Sequence, residues 1–85
     1  MVEPEVIEER IRAGIADVAH LRVEDLTGTK DHFQATVVSP AFADKTRVEQ
    51  HQMIYRALGE LMAGPVHALA LRTFTPETWE QAGEG

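Results

Sequence analysis

The chain has 85 residues, which suits one domain near the lower size limit for a self-sufficient core, and its apolar fraction of 44% is too high for a disordered one. It has no cysteine, which excludes disulfides, thiolate catalysis and any thiolate metal site built by this chain alone, and leaves His20, His32, His51 and His67 as the soft-metal ligands. The net charge of −6 disfavours nonspecific binding to nucleic acid, yet the acid excess lies near the two ends: from Leu26 to Thr75, five bases stand against four acids.

Pro4 suits the first turn of a helix. Ile7, Ile11, Ile15 and Val18 follow at helical spacing, and Glu5, Glu8 and Glu9 sit where the helix dipole favours negative charge, so a helix is expected from about Pro4 to Ala19. Leu21 and Val23 alternate with Arg22 and Glu24 as in a half-buried strand; after the turn Thr27 to Asp31, Phe33, Ala35 and Val37 alternate in a second. The short gap predicts an antiparallel hairpin. Ser39-Pro40 ends the second strand, because proline cannot donate to a ladder.

Thr46, with Glu49 three residues on, forms a capping-box pattern and starts a helix expected from Arg47 to Met62. Val48, Ile54, Tyr55, Leu58, Leu61 and Met62 make its expected core stripe, with His51 near the middle as a hydrogen-bonded core histidine and Met53 and Arg56 opposite. Ala63-Gly64-Pro65 stops it. Val66 to Thr75 reads as a third strand, and Thr75-Pro76 starts a terminal helix whose Trp79 folds back on the core. The order helix, strand, strand, helix, strand, helix predicts an α+β fold: a single small domain over residues 1–85, ordered from about 4 to 81, with a three-stranded mixed sheet packed by helices on one face.

No Walker loop, Rossmann glycine fingerprint or His-Glu-x-x-His zinc helix is present, and the lone Ser39 reads as a strand terminus, so catalysis is not expected. His67 opens the third strand and His32 the second, so the two can converge at a sheet edge. Taken alone, each is an ordinary surface histidine; a neutral imidazole is also a ligand type for iron, copper or zinc. Two histidines do not complete a tetrahedral site, so a metal held there needs ligands from another molecule. His20 is assigned no role. No Gly-x-x-Gly loop of the KH type occurs. No apolar run approaches the roughly 20 residues that span a bilayer. The acidic start Met1-Val2-Glu3-Pro4-Glu5 is unlike a signal peptide, so a cytoplasmic setting is expected.

Three stretches together resemble one family. The run Val37-Val38-Ser39-Pro40-Ala41-Phe42-Ala43-Asp44-Lys45, the helix Arg47 to Leu61, and Val66-His67-Ala68-Leu69 through Thr75-Pro76-Glu77-Thr78-Trp79 are similar, in order and spacing, to the BolA family pattern. The resemblance implies a BolA-like domain related to class II KH folds. It implies a partner, a monothiol glutaredoxin, and a shared two-iron two-sulfur cluster for which His67 is a ligand and His32 a weaker second. The partner's cysteine and a glutathione thiolate would supply the sulfur, with no cofactor in the isolated chain, itself a monomer or weak homodimer. The loop Thr27 to Asp31 is short and lacks the histidine or cysteine that members often carry there, and Asp44 stands where glycine is common. The alternative that the family implies is transcriptional regulation, with DNA phosphates held by Lys45, Arg47, Arg56 and Arg72.

Overall fold

Glu3 and Pro4 start the first helix, and proline loses nothing at that position because the first-turn amide would have no helical partner. The computed structural model describes residues 2–64, 66 and 68–83. Helix α1 (Pro4–Gly14) leads to strand β1 (His20–Asp25), strand β2 (His32–Val38), a 3-10 turn (Pro40–Phe42), helix α2 (Arg47–Leu58), a second 3-10 turn (Gly59–Ala63), strand β3 (Ala68–Phe74) and helix α3 (Pro76–Gln81). The sheet order is β1-β2-β3, antiparallel between β1 and β2 and parallel between β2 and β3. This is the mixed three-stranded α+β fold expected from the sequence.

One sheet face carries the core. Phe33, Ala35 and Val37 of β2 pack with Ile7, Ile11 and Ile15, with Ile54 and Leu58 of α2, and with Phe42 and Val66. Burying each of the larger side chains is worth about 1.5–3 kcal/mol. Val66 is 2% exposed and lies ahead of β3 instead of within it; its N–H donates to the Leu61 carbonyl at 2.9 Å. Ser39, fully buried, donates from Oγ to the Ala16 carbonyl at 2.5 Å and accepts from the Ala41 N–H at 3.0 Å. It thereby ties the exit of α1 to the end of β2. At the hairpin, the Asp25 carboxylate accepts the N–H groups of Thr27, Gly28 and Lys30 at 3.3, 3.0 and 3.1 Å, closing the turn around Gly28 at φ +78°.

Three further expectations change. Helix α1 stops at Gly14, five residues before the expected Ala19. Ile15 adopts an extended backbone that keeps its side chain in the core at 3% exposure. A Cβ on Gly14 would lie 2.5 Å from the Ala57 Cβ, so this glycine sets how closely α1 and α2 approach. Helix α2 breaks at Gly59, whose φ of +54° is in the region that favours glycine, and the chain continues to Ala63 as a 3-10 turn. The core stripe of α2 is also rotated. Ile54 and Leu58 are buried, Met53 packs against the core, and Val48 and Tyr55 are exposed at 65% and 40%.

Gly14→Ala should lower stability by about 1–3 kcal/mol in urea unfolding, despite the roughly 1 kcal/mol gain in helix propensity. Pairing it with Ala57→Gly should recover part of that loss. A double-mutant cycle without coupling would exclude the close approach as the cause.

Candidate functional site

The open face of the sheet presents His20, Arg22 and Glu24 from β1, His32, Gln34, Thr36 and Val38 from β2, and Ala68, Ala70, Arg72 and Phe74 from β3, as the pairing register requires. At the end where β2 begins, His32 pairs with Ala68, the residue that follows His67 in the chain. His67 itself lies outside the described residues, as does Pro65 of the expected helix-stop turn. The His32 Nδ1 lies 2.9 Å from Asp31 Oδ1, and Asp31 also accepts a hydrogen bond from the Thr29 hydroxyl. A carboxylate at Nδ1 needs an N–H there, which puts the ring lone pair on Nε2, the arrangement that supports a metal-binding imidazole. Among the described residues no group of three histidine, aspartate or glutamate side chains could hold a metal ion. One supported imidazole fits a shared cluster and does not fit a self-contained one.

The other end of the same face is aromatic. Trp79 of α3 stacks on His20 with ring centres 4.8 Å apart and meets Phe74 edge-on at 5.1 Å. Arg72 lies over the Phe74 ring, 5.3 Å from its centre. Val38, between His20 and Phe74 in the pairing, is 1% exposed beneath this cluster. The tryptophan therefore covers the face opposite the main core, and His20, given no role from sequence, anchors α3. Nothing in the local pattern links residues 20 and 79; only the sheet register brings them together.

A third feature is a groove of about 360 Å³ between α2 and the edge strand β3, lined by Arg47, His51, Leu71, Arg72, Thr73 and Phe74. Gln50 holds its two sides. Its amide nitrogen donates to the carbonyls of Phe42 and Lys45, both at 3.1 Å, and its amide oxygen accepts from the Thr73 hydroxyl at 2.5 Å. His51 is half-buried on the groove wall and has no hydrogen-bond partner among the described residues, so it is not the hydrogen-bonded core histidine expected. Burial and then the nearby Arg47 charge lower its pKa below the ordinary 6.5. Of the four candidate phosphate-binding bases, Arg47 and Arg72 share this groove. Lys45 is exposed in the loop before α2, and Arg56 lies on the α1 side of α2 beside Gly14, Met53 and Ala57.

The expected capping box positions Arg47. The Thr46 N–H donates to the Glu49 carboxylate at 2.8 Å, and the Glu49 N–H donates to the Thr46 hydroxyl at 3.1 Å. Hydrogen bonding from the Thr46 backbone, then from its side chain, lowers the Glu49 pKa below the ordinary 4.5.

A family model described as BolA-like protein matches residues 9–78. The chain is 36% identical over 80 residues to BolA-like protein 1 of mouse, covering 94% of this chain and 53% of that protein, so it spans about half the relative's length. It is 34% identical over 87 residues to a Haemophilus influenzae protein named DNA-binding transcriptional regulator BolA, covering 94% of this chain and 84% of that one. A Bol-like protein from Babesia bovis superposes with a TM-score of 0.86 at 28% identity, covering 98% of this chain and 95% of that structure.

The lowered Glu49 pKa fixes the sign of one pH effect. The charged carboxylate stabilises the fold above the ordinary value of 4.5, and that contribution is lost as pH falls through the lower folded value. Glu49→Gln keeps a cap but not the charge. Its melting temperature should lie below that of the parent at about pH 7, and the gap should close on acidification. A gap independent of pH in paired thermal melts would refute this.

Proposed function

The chain belongs to the BolA-like family, and from that premise we propose that it is a non-enzymatic cytoplasmic accessory protein in iron–sulfur trafficking or iron regulation. It binds a monothiol glutaredoxin and shares a two-iron two-sulfur cluster through His67, with His32 as a weaker second ligand. The supporting observation is the β2–β3 register, which pairs the Asp31-supported His32 with the residue after His67. The cluster itself supplies the iron and sulfide. This chain's part is to offer nitrogen donors, and the Asp31 carboxylate at Nδ1 leaves the lone pair of His32 on Nε2. With no cysteine in the chain, the thiolates come from the partner and glutathione.

Adding the chain to cluster-loaded monothiol glutaredoxin should change the visible absorption and circular dichroism of the cluster. His67→Ala should abolish that change while the two proteins still co-elute. His32→Ala should have the smaller effect. A spectrum that responds equally to His67→Ala and the parent would remove His67 from the ligand set.

A second reading, DNA binding, is favoured by one observation: Arg47 and Arg72 line a single groove, and no acidic side chain lines it among the described residues. The Haemophilus relative's name points the same way. In this reading Arg47 and Arg72 hold phosphates, Lys45 adds charge at the groove's approach, and Arg56, on the other side of α2, contributes least. Retardation of a promoter fragment should weaken with salt, and Arg47→Ala should reduce the salt slope by about one unit where Arg56→Ala does not. Equal effects of the two substitutions would exclude the groove.

A further inference from the structure

Arg47 and His51 stand one turn apart on α2 and line the groove opposite Leu71 to Phe74 of β3. The charged or titratable groups lining it are Arg47 and His51 from α2 and Arg72 from β3. Gln50 and Thr73 are satisfied by one another, and Tyr55, one turn beyond His51, is exposed. On the α2 side of the strand Leu71 supplies an apolar wall on which a base or sugar can rest; the Phe74 ring lies on the other sheet face against Arg72 and Trp79. The groove thus has the chemistry of a phosphodiester cleft with two permanent cations and one conditional cation.

We propose that His51 makes the groove an acid-responsive phosphate site, in which protonated His51 joins Arg47 and Arg72 on the backbone of a single-stranded nucleic acid. The proposal rests on the DNA-binding reading and adds its regulation. In the free protein, burial and the neighbouring arginine favour the neutral ring, so at neutral pH two cations face the ligand. A phosphate at the groove offsets the Arg47 repulsion and accepts a hydrogen bond from the imidazolium, so binding takes up a proton. Affinity therefore rises as pH falls toward the lowered pKa of His51 in the free protein and levels off below it.

The test is fluorescence anisotropy of a labelled single-stranded oligonucleotide with the full chain, at low salt, at about pH 7.5 and about pH 5.5. We expect about tenfold tighter binding at the lower pH, the worth of one charge-assisted contact. His51→Gln should flatten the pH profile, whereas His20→Gln, at a ring that stacks on Trp79 and does not line the groove, should keep it. Binding that is independent of pH, or a pH gain that survives His51→Gln, overturns the proposal while leaving the DNA reading intact. If the oligonucleotide fails to bind at either pH, the proposal falls for single strands, the duplex reading is left to the promoter-fragment test, and inorganic pyrophosphate then decides the groove by itself. A His51 ring resonance whose titration midpoint rises with pyrophosphate supports a phosphate site, and an unmoved midpoint removes it.

Discussion

The parallel pairing of β2 with β3 is the constraint from which the rest of the molecule follows. Two parallel neighbours cannot be joined by a tight turn, so the chain must cross over a face of the sheet between them. Here the crossover includes α2, whose Ile54 and Leu58 meet Phe33, Ala35 and Val37 and close the core on that side. The hairpin occupies the other side of β2, which leaves β3 as an edge strand. The same pairing carries the beginning of β3 alongside His32 and its later residues alongside α2.

Helix α2 is therefore a shared wall. Toward α1 it presents Ala57, against which only a glycine at position 14 fits. Toward β3 it presents Arg47 and His51, while Gln50 reaches both the preceding loop and Thr73. A small-residue contact on one flank and a hydrogen-bonded side chain on the other fix the rotation of the helix. That rotation decides which side chains face the groove. It also reconciles the net charge of −6 with a cationic groove, since two arginines face one cleft while Glu5, Glu8 and Glu9 belong to α1.

The two functional readings occupy different stretches of the same edge strand. His32, the described member of the expected cluster pair, lies beside Ala68 at the start of β3, and the arginine groove lies beside Leu71 to Phe74. Three residue steps of strand, from Ala68 to Leu71, separate them by about 10 Å. The cluster reading needs sulfur from outside, because a chain without cysteine has no thiolate to offer at that end. The groove needs nothing from outside except its ligand. The fold alone does not choose between these chemistries, since one architecture hosts many functions.

Much of the architecture was legible in the sequence because its causes are local. Thr46 and Glu49 satisfy helix-start amides within four residues, alternation in β2 separates two sheet faces, and the long segment between the second and third strands signals a crossover. The BolA-like motifs were legible for the same reason: they are short runs in fixed order. The tertiary structure alone decided how closely α1 meets α2, because Gly14 answers to Ala57 across 43 positions of sequence. It alone put Val48 and Tyr55 outside and His51 in a groove, since a broad apolar stripe leaves the rotation of a helix to its neighbours. It alone stacked His20 on Trp79, a contact made by sheet register. Hydrogen bonding and periodicity act over a few residues and are written in order along the chain, whereas packing joins residues whose distance in sequence carries no signal.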